Sequence, residues 1–199
     1  MDYSELTTMQ LDVLQEVVNI GAGNAATALS ELLNEKVDMS VPAVNIVPFD
    51  TIFSSIDVEV VVIGVIVRVL GDIPGNILFT LERDVALKII SGLIGKEQEQ
   101  ITELGNSALC EIGNIVSSSF MNAIASLTNL EIRPSMPAVA LDMMAAILST
   151  TFIESGQFDE YVLDLETNFL QENQKIRGHF YYIPMPGSLE KILNSLGVN

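Results

Sequence analysis

A constant offset of 95 residues relates the two halves of this chain. Asp12, Glu16, Asn19 and Pro42 recur as Ser107, Glu111, Asn114 and Pro137. Around them Leu14 maps to Leu109, Leu32 to Leu127, and Pro42-Ala43-Val44 to Pro137-Ala138-Val139. A run of more than thirty positions in step, without a gap, marks an internal duplication. It constrains the fold strongly, because two like halves must bury like faces, and a pseudo-twofold arrangement around a common core does so. Later the offset becomes 103, with Gly75 on Gly178, Lys88 on Lys191, Ile89 on Ile192 and Leu93 on Leu196. Eight extra residues therefore fall in the second half, and Met143 to Phe158 is the richest place for them.

Periodicity supplies the elements. From Ser4 to Asn34 the apolar residues Leu11, Leu14, Val17, Val18, Ala22, Ala25, Leu29 and Leu32 follow a helical repeat, with Thr7 or Thr8 as a cap. Gly21 and Gly23 weaken such a helix unless a neighbouring backbone must approach, and because Gly21-Ala22-Gly23 sits within the helical pattern it is read as a packing feature and not as a glycine-rich loop. Val37 to Phe49 predicts a strand containing Pro42, which is tolerated at an edge but not in mid-ladder. Val58 to Leu70, rich in β-branched residues, predicts a central strand. A turn over Gly71–Gly75 leads to a strand over Asn76–Leu81, and Asp84–Ile94 predicts a helix ended by Gly95. The second half repeats the order: a helix over Glu99–Leu127, strands over Leu130–Asp142, Glu160–Leu170 and Gly178–Pro184, and a helix over Ser188–Leu196. Gly95-Lys96-Glu97-Gln98 is only a short turn, so no linker separates the halves. The expectation is an α/β (α+β) chain forming one domain over residues 1–199, with repeats at about 4–95 and 99–199 and a largely antiparallel sheet covered by long helices.

Composition narrows the function classes. Nine Lys and Arg against 26 Asp and Glu give a net charge of −17, which argues against nucleic acid and anionic lipid as partners. The most apolar run, Val60 to Val67, is far too short for a bilayer span and fits a buried strand. The N-terminus lacks the pattern of a signal peptide. A lone cysteine, Cys110, excludes an internal disulfide and fits a reducing compartment, so a cytoplasmic location is expected.

The repeated polar residues are the candidate site. Positions i, i+4 and i+7 fall within about 60° on one helix face. Asp12, Glu16 and Asn19 are so spaced, as are Ser107, Glu111 and Asn114, and each stripe backs onto a strongly apolar face. Any amphipathic helix has a solvated face, so one stripe alone signifies little. Its duplication with matched identities points to function, although a bond from Asn to a backbone group between the repeats would also account for it. Asn is neither acid nor base at neutral pH but can orient a water. Glu can serve as a general base, a metal ligand or an anchor for a partner's cation. No His or Cys cluster accompanies them, and His179 is the sole histidine, on an expected strand, so zinc sites and nucleophilic triads are poorly supported.

The pattern D/S-x-x-x-E-x-x-N, then twenty-two residues and a proline, occurs in both halves. It resembles the CheC/CheX/FliY family of chemotaxis phosphatases, and the two-site arrangement over essentially the whole chain is of the CheC type. FliY-type relatives carry a further C-terminal switch domain, for which no length remains here. The resemblance implies a hydrolase acting on the aspartyl phosphate of a CheY-type response regulator in two-component signalling. Glu16 and Glu111 would each dock on the regulator's active-site lysine, and Asn19 and Asn114 would each hold a water in line with phosphorus. Asp12 and Ser107 would support the helix or the Glu, and Pro42 and Pro137 would shape the following strand. The resemblance also implies that no cofactor belongs to this chain, the Mg²⁺ being the regulator's, and that the receptor deamidase CheD is a second partner. Two other readings remain: a non-catalytic adaptor that binds the regulator or CheD, and a purely structural role for the stripes.

Overall fold

The computed structural model describes residues 6–41, 44–48, 51–52, 59–155, 161–171 and 174–198, with backbone alone at 154–155, 161, 166–171 and 174–178. In chain order its elements are α1 (Thr8–Leu33), β1 (Val37–Ser40), β2 (Val44–Pro48), β3 (Val61–Gly71), β4 (Gly75–Glu82), α2 (Arg83–Ile94), α3 (Glu103–Thr128), β5 (Ile132–Pro134), β6 (Ala138–Met143), α4 (Met144–Ser155), β7 (Tyr161–Gln171), β8 (Gln174–Pro184) and α5 (Ser188–Ser195).

The duplicated helices α1 and α3 are both 26 residues long. Thr7 caps α1: its hydroxyl accepts from the Gln10 N–H while the Gln10 side chain accepts from the Thr7 N–H, so two otherwise orphaned donors are satisfied. Thr102 caps α3 through a bond from the Gly105 N–H. Asn34 and Asn129, again 95 apart, close the two helices in the left-handed conformation.

The eight strands form one antiparallel sheet in the order β1-β7-β8-β4-β3-β5, with β2 also on β7 and β6 also on β3. The halves are interlaced. The short strands of the first half, β1 and β2, pair with the second half's hairpin β7–β8, and β5 and β6 pair with the first half's hairpin β3–β4. β4 and β8 join the hairpins at the centre. Val139 faces Val65, which faces Phe79, and Val44 faces Leu165, which faces Phe180, so Phe79 and Phe180 are counterparts in the structure. They face each other, and the pseudo-twofold axis passes through that pair.

Each strand expected after a long helix is divided in two. Ser40 faces Asn168 and Val44 faces Leu165, so one more residue lies on this side than on β7. Likewise Pro134 faces Val69 while Ala138 faces Ile66. One extra residue in an antiparallel pairing is a β-bulge, and proline, having no N–H to give the ladder, is accommodated there. Pro137 occupies the second bulge; Pro42 lies outside the described residues.

Met143–Phe158 contains a helix, α4, followed by residues that lie outside those described from 156 on. It does not account for all the extra residues. Val44 and Val139 are 95 apart, yet their partners Leu165 and Val65 are 100 apart, so five residues enter before Leu165. The next partners, Phe79 and Phe180, are 101 apart, which adds one residue within the β7–β8 hairpin, and the last two precede α5, where Lys88 and Lys191 are 103 apart.

Two buried clusters flank the sheet. On one face Leu14, Val18, Ala22, Leu109, Val116 and Phe120 of α1 and α3, with Ala86 and Ile90 of α2 and Leu189 and Ile192 of α5, pack on Ile63, Val65, Phe79 and Phe180. On the other, Met144, Ile147, Leu148 and Phe152 of α4 cover Val62, Leu78, Val162, Tyr181 and Ile183. Phe120 links three elements: its ring stacks on Phe180 of β8 with centroids 4.3 Å apart, and a Cβ placed on Gly21 would lie 2.9 Å from its Cα. Gly21 thus lets α1 approach α3 closely. Gly23 has no such role among the described residues, since none of them lies within 4 Å of a Cβ there, and the expectation of a packing need is not met at that position.

The two glycines should respond oppositely to alanine. Gly21→Ala forces Phe120 aside and is expected to destabilise by about 1–3 kcal/mol. Gly23→Ala, in an open helical position, is expected to stabilise by up to about 1 kcal/mol. Urea unfolding followed by circular dichroism measures both.

Candidate functional site

The face of α1 that carries Leu14, Val17, Val18, Gly21 and Ala22 is buried, which turns Asp12, Glu16 and Asn19 outward, and all three are exposed. On α3 the buried face carries Leu109, Ile112, Gly113, Val116 and Ser117. Ser107 and Glu111 are exposed there and Asn114 is half-buried. Helical periodicity against a sheet therefore mounts each Glu and Asn one turn apart on a rigid element, facing solvent.

Each stripe lies beside the bulge of its own half. At the first centre the buried Val41, one residue before Pro42, donates its backbone N–H to Asn19 Oδ1 at 3.4 Å. This fixes the carboxamide's oxygen toward the protein. At the second centre Cys110 Sγ donates to the Pro137 carbonyl at 3.7 Å, tying α3 to the bulge. There Asn114 Oδ1 accepts from Ser118 Oγ at 3.4 Å. Ser118 stands where the first half has Gly23, so the hydroxyl that holds Asn114 has no counterpart at Asn19. Sequence reasoning passed over Ser118, although its spacing of four residues from Asn114 on a helix was a visible signal. The Val41 contact could not be found that way, because it depends on how the bulge turns a backbone N–H.

Ser107 donates its hydroxyl to the Glu103 carbonyl at 3.0 Å, within α3. Asp12 is exposed on the first turns of α1. The structure thus groups Glu16, Asn19 and the Val41 backbone at one centre, and Glu111, Asn114, Ser118, Cys110 and Pro137 around the other. Among the described residues no group of three His, Cys, Asp or Glu is placed to hold a metal ion. A separate titratable cluster lies on the sheet, where His179 Nδ1 is 3.6 Å from Asp164 Oδ1 and stacks on Tyr181. Burial pushes the Tyr181 phenol far above its ordinary range, with the Asp164 charge adding to it. Tyr181 packs with α4, on the face of the sheet opposite α1 and α3.

The CheC-like family model matches residues 9–46 and 104–141, two windows that coincide with the repeat. Over 96% of its length the chain is 36% identical to the CheY-P phosphatase CheC of Bacillus subtilis (strain 168), covering 95% of that protein. This chain belongs to the CheC-like family. Its fold matches the crystal structure of FliY from Thermotoga maritima with a TM-score of 0.82 at 22% identity, over 97% of this chain and 98% of that one. It also matches one chain in the crystal structure of the CheX–CheY–BeF₃–Mg²⁺ complex of Borrelia burgdorferi with a TM-score of 0.55 at 15% identity, over 85% of this chain and 98% of that one. The duplicated CheC-like fold is thus shown both by the two family windows and by the interlaced sheet. No helix among the described residues is long and apolar enough to cross a membrane.

Two outcomes follow from this geometry. Glu16→Ala and Glu111→Ala, at exposed positions, are expected to change folding stability by no more than about 0.5 kcal/mol, as measured by urea unfolding; a structural role for the stripes requires more. Burial pushes the Cys110 thiol above its ordinary range, so at pH 8 it carries less thiolate than a free cysteine. Alkylation of Cys110 by iodoacetamide should therefore be slower than that of a free thiol at pH 8 and accelerate as the pH is raised further.

Proposed function

We propose that this protein is a phosphatase that hydrolyses the aspartyl phosphate of a CheY-type response regulator at two centres, one on α1 and one on α3. The observation that carries the reading is the outward placement of both Glu-Asn pairs in a chain so similar to a CheY-P phosphatase. An acyl phosphate is already reactive, so the chemistry left to the protein is placing a water for attack. Asn19 and Asn114 supply that placement: a carboxamide offers a donor and an acceptor in one plane, and a bond on its oxygen leaves the amide N–H groups directed at the visitor. Glu16 and Glu111 supply docking, each accepting a charge-assisted hydrogen bond from a cation of the regulator such as its active-site lysine. The abundance of negative charge favours approach of such a cation.

Asp12 and Ser107 support the helix, Pro137 shapes the bulge that stands beside Asn114, and Pro42 has the corresponding role by its place in the repeat. The Mg²⁺ is the regulator's, and its role is to balance charge on the departing phosphoryl group. The receptor deamidase CheD is the second partner in this reading, and the cytoplasm is where both partners and this chain would meet. Residues 1–199 act as one CheC-like unit, with repeats at about 4–95 and 99–199.

A second reading is a non-catalytic adaptor that binds the regulator or CheD. What favours it is that neither Glu nor Asn is a strong catalyst alone, and that Asn114 is held by Ser118.

Phosphate release from the phosphorylated regulator under saturating protein separates the two. Asn19→Ala and Asn114→Ala are each expected to remove part of the activity, and the double variant to lower it by about 10²-fold while still folding. A folded double variant with undiminished turnover rejects the catalytic assignment. Wild-type protein that binds the regulator without accelerating dephosphorylation establishes the adaptor reading instead.

A further inference from the structure

Met9 and Leu104 are 95 residues apart, so they are the same position of the repeat. Both are large apolar side chains left in solvent, Met9 at 67% and Leu104 at 60% exposure. Each precedes its stripe by three residues: Met9 leads Asp12, Glu16 and Asn19 by three, seven and ten positions, and Leu104 leads Ser107, Glu111 and Asn114 by the same intervals. At 100° per residue all four positions of a helix fall within about 80°, so the apolar side chain heads the very face that presents Glu and Asn.

The fold does not require them there. The helix starts are already capped by Thr7 and Thr102, and the buried faces are filled by other residues. A single exposed apolar residue is ordinary on any surface. A pair held in register with two polar stripes through a duplication is not, because solvent-facing positions are free to become polar. The second centre carries a further one. Met136, next to Pro137 in the bulge, is 90% exposed, whereas its counterpart Val41 is buried.

We propose that Met9 and Leu104 are recognition residues for the phosphorylated response regulator, each contacting apolar surface of the regulator beside the site that Glu and Asn enter, with Met136 adding to that contact at the second centre. The proposal rests on the phosphatase reading above and deepens it. Continuity of the apolar residue with the Glu-Asn face commits the occupant to the same visitor. Burial of apolar area supplies binding that is made equally in the ground state and the transition state, while Asn acts on the chemical step alone. Uniform binding of that kind lowers KM and leaves kcat unaltered.

The test is steady-state phosphate release with the phosphorylated regulator as substrate. Met9→Ser/Leu104→Ser is expected to raise KM about tenfold with kcat retained, the reverse of the Asn double variant, in which kcat falls. Met9→Leu/Leu104→Met, which keeps the apolar area, should retain the wild-type KM. Leu32→Ser/Leu127→Ser is the control, since this pair is exposed at 37% and 44% and recurs at the same offset but stands about 140° around the helix from Asn19. Its KM should not move. Thermal unfolding of each variant shows whether the fold is intact; were the Ser pair unfolded, Met9→Gln/Leu104→Gln, with better helix formers, would be compared instead. An active, folded Met9/Leu104 variant with wild-type KM overturns the recognition role and leaves the phosphatase reading standing. Wild-type protein that neither hydrolyses nor binds the regulator overturns both.

Discussion

Pairing of β4 with β8 is the contact on which the architecture depends. It joins two hairpins that belong to different halves, and it is the only place where equivalent strands of the repeats meet among the described residues. Each hairpin then receives its outer strands from the opposite half, so neither half completes its own sheet. A half expressed alone would present unpaired strand edges and an uncovered apolar face, both of which are costly in water. The duplication is therefore not two domains in tandem but one core contributed twice.

That interlacing also determines where the polar stripes go. α1 and α3 pack against the same face of the sheet and against each other, with Gly21 admitting Phe120 and Phe120 resting on Phe180. Once the apolar faces are committed to this contact, the opposite faces have nowhere to go but solvent. The bulges then bring a backbone group beside each stripe: the Val41 N–H at Asn19, and the Pro137 carbonyl at Cys110. A rigid helix and a bulged strand hold each carboxamide more firmly than a loop would.

The two centres are alike in frame and different in detail. Ser118 engages Asn114, while the equivalent Gly23 leaves α1 bare at that turn. Met136 is exposed where Val41 is buried. Such differences accumulate after duplication because the core requires only that the buried faces match, and it places no demand on residues one turn away on the exposed side.

The sequence by itself determined the duplication, the main helical and strand segments, the capping threonine of α1 and the alignment of Glu and Asn on one helix face, because all of these are set by interactions within a few residues or by a repeat visible as an offset; the cap of α3, Thr102, lies inside the helix expected from Glu99. It also carried the family resemblance, since the paired motif is linear. It did not show that Val37–Phe49 and Leu130–Asp142 each divide at a bulge, that the extra residues are spread over the segment before β7, the β7–β8 hairpin and the turn before α5, or that Gly21 serves a packing need that Gly23 does not. Those outcomes depend on which strand lies next to which and how closely two helices approach, and pairing of that kind is decided between residues far apart in the chain, such as Val65 and Val139, Gly21 and Phe120, or Val44 and Leu165. Only the tertiary structure settles it, because register and packing are properties of surfaces that do not exist until the chain has closed on itself.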